Sequence, residues 1–173
     1  MIEEEYEKRC QMTTDINEHL SLLKELASKV DHVSEFGVRD GHSTVALACG
    51  RPSRMVSYDV NRPSLELLEQ LRMWLPGFEF IQADVLEVNI EPTDLLFIDS
   101  HHTYNQLRQE LAFHGDKARK FIVVHDTETF GLRGEDGTEP GLIAAIREFI
   151  GNSKWWYLMR HDTNNNGLTV LAR

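Results

Sequence analysis

The chain has 173 residues, of which 41% are hydrophobic and 27% are charged, and these proportions exclude an intrinsically disordered chain. Its formal net charge of −10 disfavours a nucleic-acid partner, because binding to nucleic acid depends on clustered positive charge. No apolar run approaches the roughly 20 residues of a membrane span, and the acidic N-terminus is unlike a signal peptide. We therefore expect a cytoplasmic single domain over residues 1–173, with no membrane partner and a small-molecule substrate; a homo-oligomer stays open.

The N-terminal part of the sequence predicts one helix. Residues 1–12 are charged and show no clear pattern. Asp15 and Glu18 have the spacing of a capping box, and apolar residues then recur at helical spacing, which predicts a helix over 15–29. We expect segment 1–30 to be a helical segment that packs on the sheet or forms a lid over a ligand pocket.

The rest of the chain alternates between predicted strands and predicted helices. The pattern predicts strands over 32–38, 54–60, 78–85, 94–99, 121–126, 155–160 and 168–171, and helices over 43–50, 63–74, 104–118 and 140–150. Residues 128–139 are rich in glycine and charge, which predicts a surface loop, and the last two strands are separated by a turn-rich link, which predicts a hairpin. This order predicts an α/β, Rossmann-like three-layer sandwich with a mostly parallel seven-stranded sheet and an antiparallel C-terminal strand.

Ligands of parallel sheets bind at the carboxyl ends of the strands, so the residues that end each strand are the candidate site residues. The first strand ends in Glu35-Phe-Gly-Val-Arg-Asp-Gly-His-Ser43. Gly37 and Gly41 permit a sharp turn and close approach of a ligand. Any tight strand-to-helix connection can have a similar sequence, however. The dinucleotide fingerprint GxGxxG is absent, since Arg39 takes the place of its middle glycine.

Acidic residues end the second and third strands. Asp59 is placed to accept hydrogen bonds from ribose hydroxyls, although it could equally cap the turn before Pro63. Asp84 could accept a hydrogen bond from an exocyclic amine such as that of adenine, or it could close a turn. In combination with the glycine turn, these positions favour a site for an adenosine-containing ligand.

Acids and histidines end the fourth and fifth strands. Asp99, His101 and His102 follow one strand, and His125 and Asp126 follow the next. Carboxylate and imidazole groups at such positions could bind Mg²⁺ or Mn²⁺. The histidines could instead act as general bases, because their pKa lies close to neutral pH. A capping or packing role for His102 is the structural alternative.

This ordered set of strand ends resembles the class I S-adenosylmethionine-dependent methyltransferases, and most closely the small-molecule O-methyltransferase-like group described as methyltransferase family 24. The resemblance extends from about residue 13 to the end of the chain. It implies a cofactor-binding set of Glu35, Gly37, Val38, Arg39, Gly41, Ser43, Asp59, Val60, Asp84, Val85 and Asp99. Within this set, the loop with Glu35, Gly37 and Gly41 would surround the methionine moiety. Asp59 would hold the ribose, and Asp84 with Val85 the adenine.

The resemblance also implies a reaction. In metal-dependent members, the acid at the position of Asp99 and the two residues that end the next strand bind the cation, which here are His125 and Asp126. His125 departs from the pattern, since an acid is usual there. No Asn/Asp-Pro-Pro-Tyr motif follows the fourth strand, which argues against methylation of amino groups on nucleic-acid bases. The expected activity is methyl transfer to a hydroxyl of a small molecule.

Two routes could activate that hydroxyl. A cation, Mg²⁺ or Mn²⁺, held by Asp99, His125 and Asp126 would lower the pKa of the hydroxyl. Alternatively, His101 or His102 takes the proton directly, which makes Asp99, His101 and His102 the catalytic candidates. A protein that binds NAD or another adenosine ligand, and a non-catalytic homologue, are the competing interpretations.

Overall fold

The computed structural model describes residues 1–173. Its helices are α1 (Ile2–Gln11), α2 (Leu20–Ala27), α3 (His42–Cys49), α4 (Leu65–Trp74), α5 (Tyr104–His114) and α6 (Leu142–Asn152), with 3₁₀ turns at Asn17–His19 and Gly115–Lys117. Its strands are β1 (His32–Phe36), β2 (Arg54–Asp59), β3 (Phe78–Gln82), β4 (Thr93–Ile98), β5 (Ala118–His125), β6 (Tyr157–Asp162) and β7 (Leu168–Ala172). None of the helices is long and apolar enough to cross a membrane.

The seven strands form one sheet in the order β3-β2-β1-β4-β5-β7-β6. Strands β1 to β5 pair in parallel, and β7 runs antiparallel to both of its neighbours. The predicted α/β, Rossmann-like architecture with an antiparallel C-terminal strand is therefore confirmed. The strand order reverses between β1 and β4, and the loops that leave such a pair diverge and open a crevice at the carboxyl edge.

Hydrophobic cores cover both faces of the sheet. Leu95 and Phe97 of β4 belong to the core that includes α1 to α4, whereas Leu96 and Ile98 belong to the core that includes α5 and α6. This alternation follows from the two-residue period of a strand, and both sets are apolar because both faces are covered. The central strands are thereby fixed in position, and the loops at their ends are fixed with them.

The structure adds a helix in the N-terminal segment that was not predicted, and it divides the one that was. Residues 2–11 form helix α1, whose Ile2, Tyr6 and Cys10 contribute to the core next to α3. The predicted single helix over 15–29 is instead the 3₁₀ turn followed by α2. Asp15 does not cap that helix, because its carboxylate pairs with Arg39 at 2.6 Å and its carbonyl accepts a hydrogen bond from His125 at 3.1 Å.

Several predicted boundaries also moved. The strands predicted over 32–38 and 78–85 end at Phe36 and Gln82, because the residues that follow leave the sheet and line the cavity described below. The helix predicted over 104–118 ends at His114, where a 3₁₀ turn begins, and β5 starts three residues early because Ala118 already pairs with Thr93. The helix predicted over 140–150 and the strand predicted over 155–160 each begin two residues later than expected.

Candidate functional site

A cavity of about 460 Å³ opens at the carboxyl edge of β1 to β4, where the strand order reverses. Eleven of the predicted site residues line it, namely Gly37, Val38, Arg39, Ser43, Asp59, Val60, Asp84, Val85, Asp99, His101 and His102. Four do not line it, namely Glu35, Gly41, His125 and Asp126. Three of these four lie behind the lining residues, because Glu35 is bonded to Ser43, His125 to Asp99 and Asp126 to His102.

Gly37 is the point where the turn after β1 meets the turn after β4. Its φ of +87° lies in the left-handed region, and a Cβ atom there would lie 2.0 Å from the carbonyl oxygen of Asp99. Only glycine can hold both this backbone conformation and this close approach. The two turns therefore meet at Gly37, and this contact fixes the position of Asp99 relative to the rest of the glycine turn.

Glu35 supports the glycine turn from inside the protein. Its carboxylate is fully buried and accepts hydrogen bonds from the hydroxyls of Ser43 at 2.7 Å, Thr44 at 3.1 Å and Ser57 at 2.6 Å. Burial raises the pKa of Glu35 to about 7, although the three hydroxyl donors act in the opposite direction. The structure thus places Glu35 beneath α3 and the turn rather than against the ligand space.

Asp59 and Asp84 project from the turns after β2 and β3. One oxygen of Asp59 accepts hydrogen bonds from the backbone amides of Val38 at 2.8 Å and Arg39 at 3.1 Å. Its other oxygen accepts from the amide of Asn61, and Asp84 accepts from the amide of Leu86. These bonds fix both carboxylates at the cavity wall, where carboxylate oxygens have further acceptor capacity for hydroxyl or amine donors of a ligand.

The opposite wall carries a group that we name the acid–histidine cluster, consisting of Asp99, His102, His125 and Asp126. One oxygen of Asp99 lies 3.1 Å from Nε2 of His102 and 3.2 Å from Nδ1 of His125. One oxygen of Asp126 lies 3.0 Å from the same Nε2 and 3.7 Å from the same Nδ1. The cluster therefore adds side-chain contacts at the carboxyl ends of β4 and β5, which also pair through their main chains.

Ionisation in this cluster is strongly coupled. Burial lowers the pKa of His102, but hydrogen bonds to Asp126 and Asp99 outweigh it and raise this pKa to about 10. Burial likewise raises the pKa of Asp99, but hydrogen bonds from His102 and His125 bring it far below its ordinary value. The pKa of His125 is raised by Asp99 against the effect of burial. The contacts within the cluster therefore raise the pKa of both imidazoles and lower the pKa of Asp99.

The same residues have the donor set of a metal site. Asp99, His125 and Asp126 offer ligand atoms within 4.8 Å of one another. Nε2 of His125 faces the backbone carbonyls of Asp15 at 3.1 Å and Asn165 at 3.4 Å. In metal sites, the ring nitrogen that does not bind the metal usually donates a hydrogen bond to such a carbonyl. The other nitrogen, Nδ1, faces the acids. The second oxygen of Asp126 is buried without a partner. These residues fit a divalent cation.

The loop over 127–141 reaches the acid–histidine cluster, which sequence reasoning did not predict. Nδ1 of His102 lies 3.0 Å from a carboxylate oxygen of Glu135, and the imidazole stacks on Phe130 with 5.1 Å between ring centroids. The other oxygen of Glu135 contacts Nδ1 of His101, which lies towards solvent. The predicted surface loop thus belongs to the site.

The N-terminal segment closes another part of the cavity wall. Ile16 lines the cavity, and Asp15 connects this wall to Arg39 and to His125. Arg9 of α1 donates a hydrogen bond to the carbonyl of Asp40, which lies within the glycine turn. Segment 1–30 therefore contacts the cavity wall, and a role as a lid stays a prediction.

A second buried acid lies behind the wall near Asp84 and was also not predicted. Glu110 of α5 is fully buried, and one of its oxygens accepts hydrogen bonds from Ser100 and Gln106, both of which line the cavity. Burial raises the pKa of Glu110 to about 7. Its other oxygen has no hydrogen-bond partner. A signal existed in the sequence, because Leu107, Glu110 and Leu111 share one helical face.

Comparison with known proteins gives a clear result for the fold. No protein-family model matches the chain, and no curated protein matches its sequence. Solved structures do match. Cofactor-bound Rv0187 from MTB has a TM-score of 0.71 at 18% identity and covers 99% of this chain and 88% of its own. The O-methyltransferase TomG from Streptomyces achromogenes, in complex with SAM, has a TM-score of 0.65 at 17% identity over 93% of this chain and 81% of its own.

An N-methyltransferase has a similar fold. NodS from Bradyrhizobium japonicum WM9, in complex with S-adenosyl-l-homocysteine, has a TM-score of 0.62 at 13% identity and covers 99% of this chain and 98% of its own. The chain therefore has the Rossmann-like fold found in O- and N-methyltransferases that bind S-adenosylmethionine or its product.

Proposed function

We propose that the protein transfers a methyl group from S-adenosylmethionine to a hydroxyl of a small molecule. The observation that carries this proposal is the convergence of Gly37, Asp59, Asp84 and Asp99 on one cavity, in the strand order expected for that cofactor. The structures with a similar fold include proteins bound to S-adenosylmethionine or S-adenosylhomocysteine, which supports the choice of ligand.

The cofactor would lie along the carboxyl edge of the sheet. Asp59 accepts hydrogen bonds from the ribose hydroxyls, and Asp84 accepts from the adenine amine with Val85 against the ring. The methionine moiety lies in the glycine turn, where Gly37, Val38 and Ser43 line the cavity. Asp99 is then next to the sulfonium, on the side where the acceptor binds.

The acid–histidine cluster supplies the chemistry at the acceptor. Asp99, His125 and Asp126 would hold a divalent cation, and the imidazole ligand favours Mn²⁺ over Mg²⁺, which prefers oxygen ligands. Such a cation, when bound, would lower the pKa of a contacting hydroxyl and offset the negative charge of the carboxylates beside His102. The positive φ of Asp126, 60°, is a strained conformation typical of functional positions.

His102 is the better of the two candidate bases. Its Nε2 faces Asp99 and Asp126 at the cavity, whereas the side chain of His101 is 57% exposed and contacts Glu135. In the reaction, the hydroxyl proton moves to Nε2 of His102 as the oxygen forms a bond with the methyl carbon. The sulfur–methyl bond breaks in the same step, and S-adenosylhomocysteine leaves with both bonding electrons on sulfur.

A calorimetric titration tests the cofactor assignment. We expect S-adenosylhomocysteine to bind and NADH not to bind, and Asp59→Asn to weaken the binding of S-adenosylhomocysteine about 10- to 100-fold through loss of a charge-assisted hydrogen bond. Asp116→Asn is the matched control, because Asp116 is exposed and lies in the turn before β5, at the opposite edge of the sheet.

The same titration can contradict the proposal. Binding of NADH in preference to S-adenosylhomocysteine would indicate a different nucleotide-binding protein. Failure of S-adenosylhomocysteine to bind at millimolar concentration would indicate a non-catalytic homologue. Turnover with a panel of small alcohols, phenols and amines then separates oxygen from nitrogen acceptors, since the reaction releases S-adenosylhomocysteine in both cases.

A further inference from the structure

Glu135 holds His102 at two places. Its carboxylate oxygen lies 3.0 Å from Nδ1 of His102, and its backbone amide donates a hydrogen bond to the carbonyl of His102 at 3.0 Å. The side chain of Glu135 is about one-third exposed, so the pair lies at the rim of the cavity rather than in the core. The imidazole and the main chain of His102 are therefore both attached to the 127–141 loop.

The loop presents Glu135 in a defined geometry. The amide of Gly134 donates to the carbonyl of Thr138, and the side chain of Asp136 accepts from both the amide and the hydroxyl of Thr138. Gly134 also packs closely on the preceding segment, since a Cβ atom there would lie 3.2 Å from the carbonyl oxygen of His102. These bonds within the loop leave Glu135 at the tip of a compact turn.

The remaining contacts of His102 define which nitrogen faces the reaction. Phe130 stacks on one face of the imidazole with an interplanar angle of 8°. Nε2 faces Asp99 and Asp126, and Nδ1 faces Glu135. A carboxylate bonded to one imidazole nitrogen fixes the orientation of the ring, and with it the nitrogen that faces the cavity.

From this geometry we infer that Glu135 is a positioning residue for the proposed proton acceptor His102. The carboxylate and the backbone amide of Glu135 hold His102 in the orientation in which Nε2 faces Asp99 and Asp126. The 127–141 loop therefore acts on the cavity through His102, which lines it. This inference rests on the proposed methyl transfer for its kinetic consequence, but the hydrogen bond itself can be tested without turnover.

The first experiment measures the hydrogen bond in protein saturated with S-adenosylhomocysteine. Nuclear magnetic resonance of ¹⁵N-histidine-labelled protein should show a downfield ring N–H proton of His102, assigned by its loss in His102→Gln. We expect Glu135→Gln to move or remove this signal and Glu139→Gln to leave it in place. Glu139 lies in the same loop, is exposed and pairs only with Arg133, so it is a matched control. A parent spectrum without the signal, or an unchanged spectrum of Glu135→Gln, would overturn the inference.

The second experiment measures turnover with an acceptor found in the panel above. We expect Glu135→Gln to lower kcat about 10- to 100-fold, with little change in KM for S-adenosylmethionine, and Glu135→Asp to recover part of the loss. If Glu135 had only a structural role, its variants would show a raised KM for S-adenosylmethionine, or kcat would fall equally in Glu135→Gln and Glu135→Asp. Either result would contradict the inference. If the parent binds no S-adenosylhomocysteine, the proposed function fails, and the resonance in the unliganded protein then decides the inference alone.

Discussion

The two ends of the cavity are built in different ways. At the end proposed to hold adenosine, formed by the turns after β1, β2 and β3, the acids Asp59 and Asp84 accept hydrogen bonds from backbone amides. At the reacting end, the acid–histidine cluster is held by side chains and by segments far apart in the chain, including Asp15, Glu135 and Asn165. The first arrangement is set largely by the strand-end turns, whereas the second depends on three loops docking together. Under the proposed function, we expect changes in those loops to alter the choice of acceptor and to leave the cofactor site unchanged.

The largest expected effect concerns Gly37, which lies where the two ends meet. We expect Gly37→Ala to lower the free energy of unfolding by about 3–4 kcal/mol, because the new Cβ atom meets the backbone of Asp99 and the φ angle is unfavourable. Denaturant titration measures the loss, and calorimetry should detect no binding of S-adenosylhomocysteine.

Gly151→Ala is the control for this substitution. Gly151 lies near the end of α6, and a Cβ atom there would have nothing within 4 Å. Alanine is favoured over glycine in a helix by up to about 1 kcal/mol, so this variant should be as stable as the parent or slightly more stable. Equal stability of the Gly37 and Gly151 variants would contradict the close approach of the two turns.

The next effect separates the two ends of the cavity. We expect His102→Gln to lower kcat about 10²- to 10⁴-fold, since it removes the proton acceptor, while the affinity for S-adenosylhomocysteine stays close to that of the parent. His101→Gln, which changes the neighbouring exposed histidine, should retain most of the activity. Equal losses in both variants, measured by release of S-adenosylhomocysteine, would show that the assignment of His102 is wrong.

A smaller effect concerns the dependence of stability on pH. Because the pKa of Glu110 is raised from 4.5 to about 7 in the folded protein, the folded state binds a proton more tightly than the unfolded state. The stability that this provides is present at low pH and is lost as the pH rises from about 4.5 to about 7. Glu110→Gln should therefore gain up to about 3 kcal/mol relative to the parent between pH 4 and pH 8.

Denaturant titrations at several pH values check this prediction. In Glu110→Gln, one atom of the side-chain amide lacks a hydrogen-bond partner, which changes the free energy of unfolding by the same amount at every pH. The informative quantity is therefore the slope of the free energy of unfolding against pH. Glu69→Gln is the control, since Glu69 is exposed on α4. Parallel stability curves for the parent and Glu110→Gln would show that Glu110 is ionised at neutral pH.

The sequence was sufficient to predict the sheet and to place acids at the cavity wall after β2 and β3. The run Leu95–Ile98 is apolar because both faces of β4 are covered, and the acids after β2 and β3 follow strands with a clear apolar pattern. Helix α1 was missed although it has a signal: Ile2, Tyr6 and Cys10 recur every four residues among charges, with acids in the first turn and bases in the last.

The roles of Glu135 and Asp15 could not be predicted in the same way. Glu135 lies in a loop of glycines and charges with no periodic pattern, and only the packing of Gly134 on the backbone of His102 brings it to the cluster. Asp15 has the local spacing of a capping residue, but its tertiary contacts with Arg39 and His125 replace that role. Local sequence patterns carry no information on such contacts between distant segments.

A crystal structure of the protein with S-adenosylhomocysteine and Mn²⁺ tests the central claim most directly. We predict that the ligand occupies the 460 Å³ cavity, with its ribose hydroxyls at Asp59, its adenine at Asp84 and its sulfur nearest Asp99. An anomalous peak should lie between Asp99, His125 and Asp126. A ligand bound elsewhere, or one whose sulfur points away from Asp99, would contradict the proposed methyl transfer.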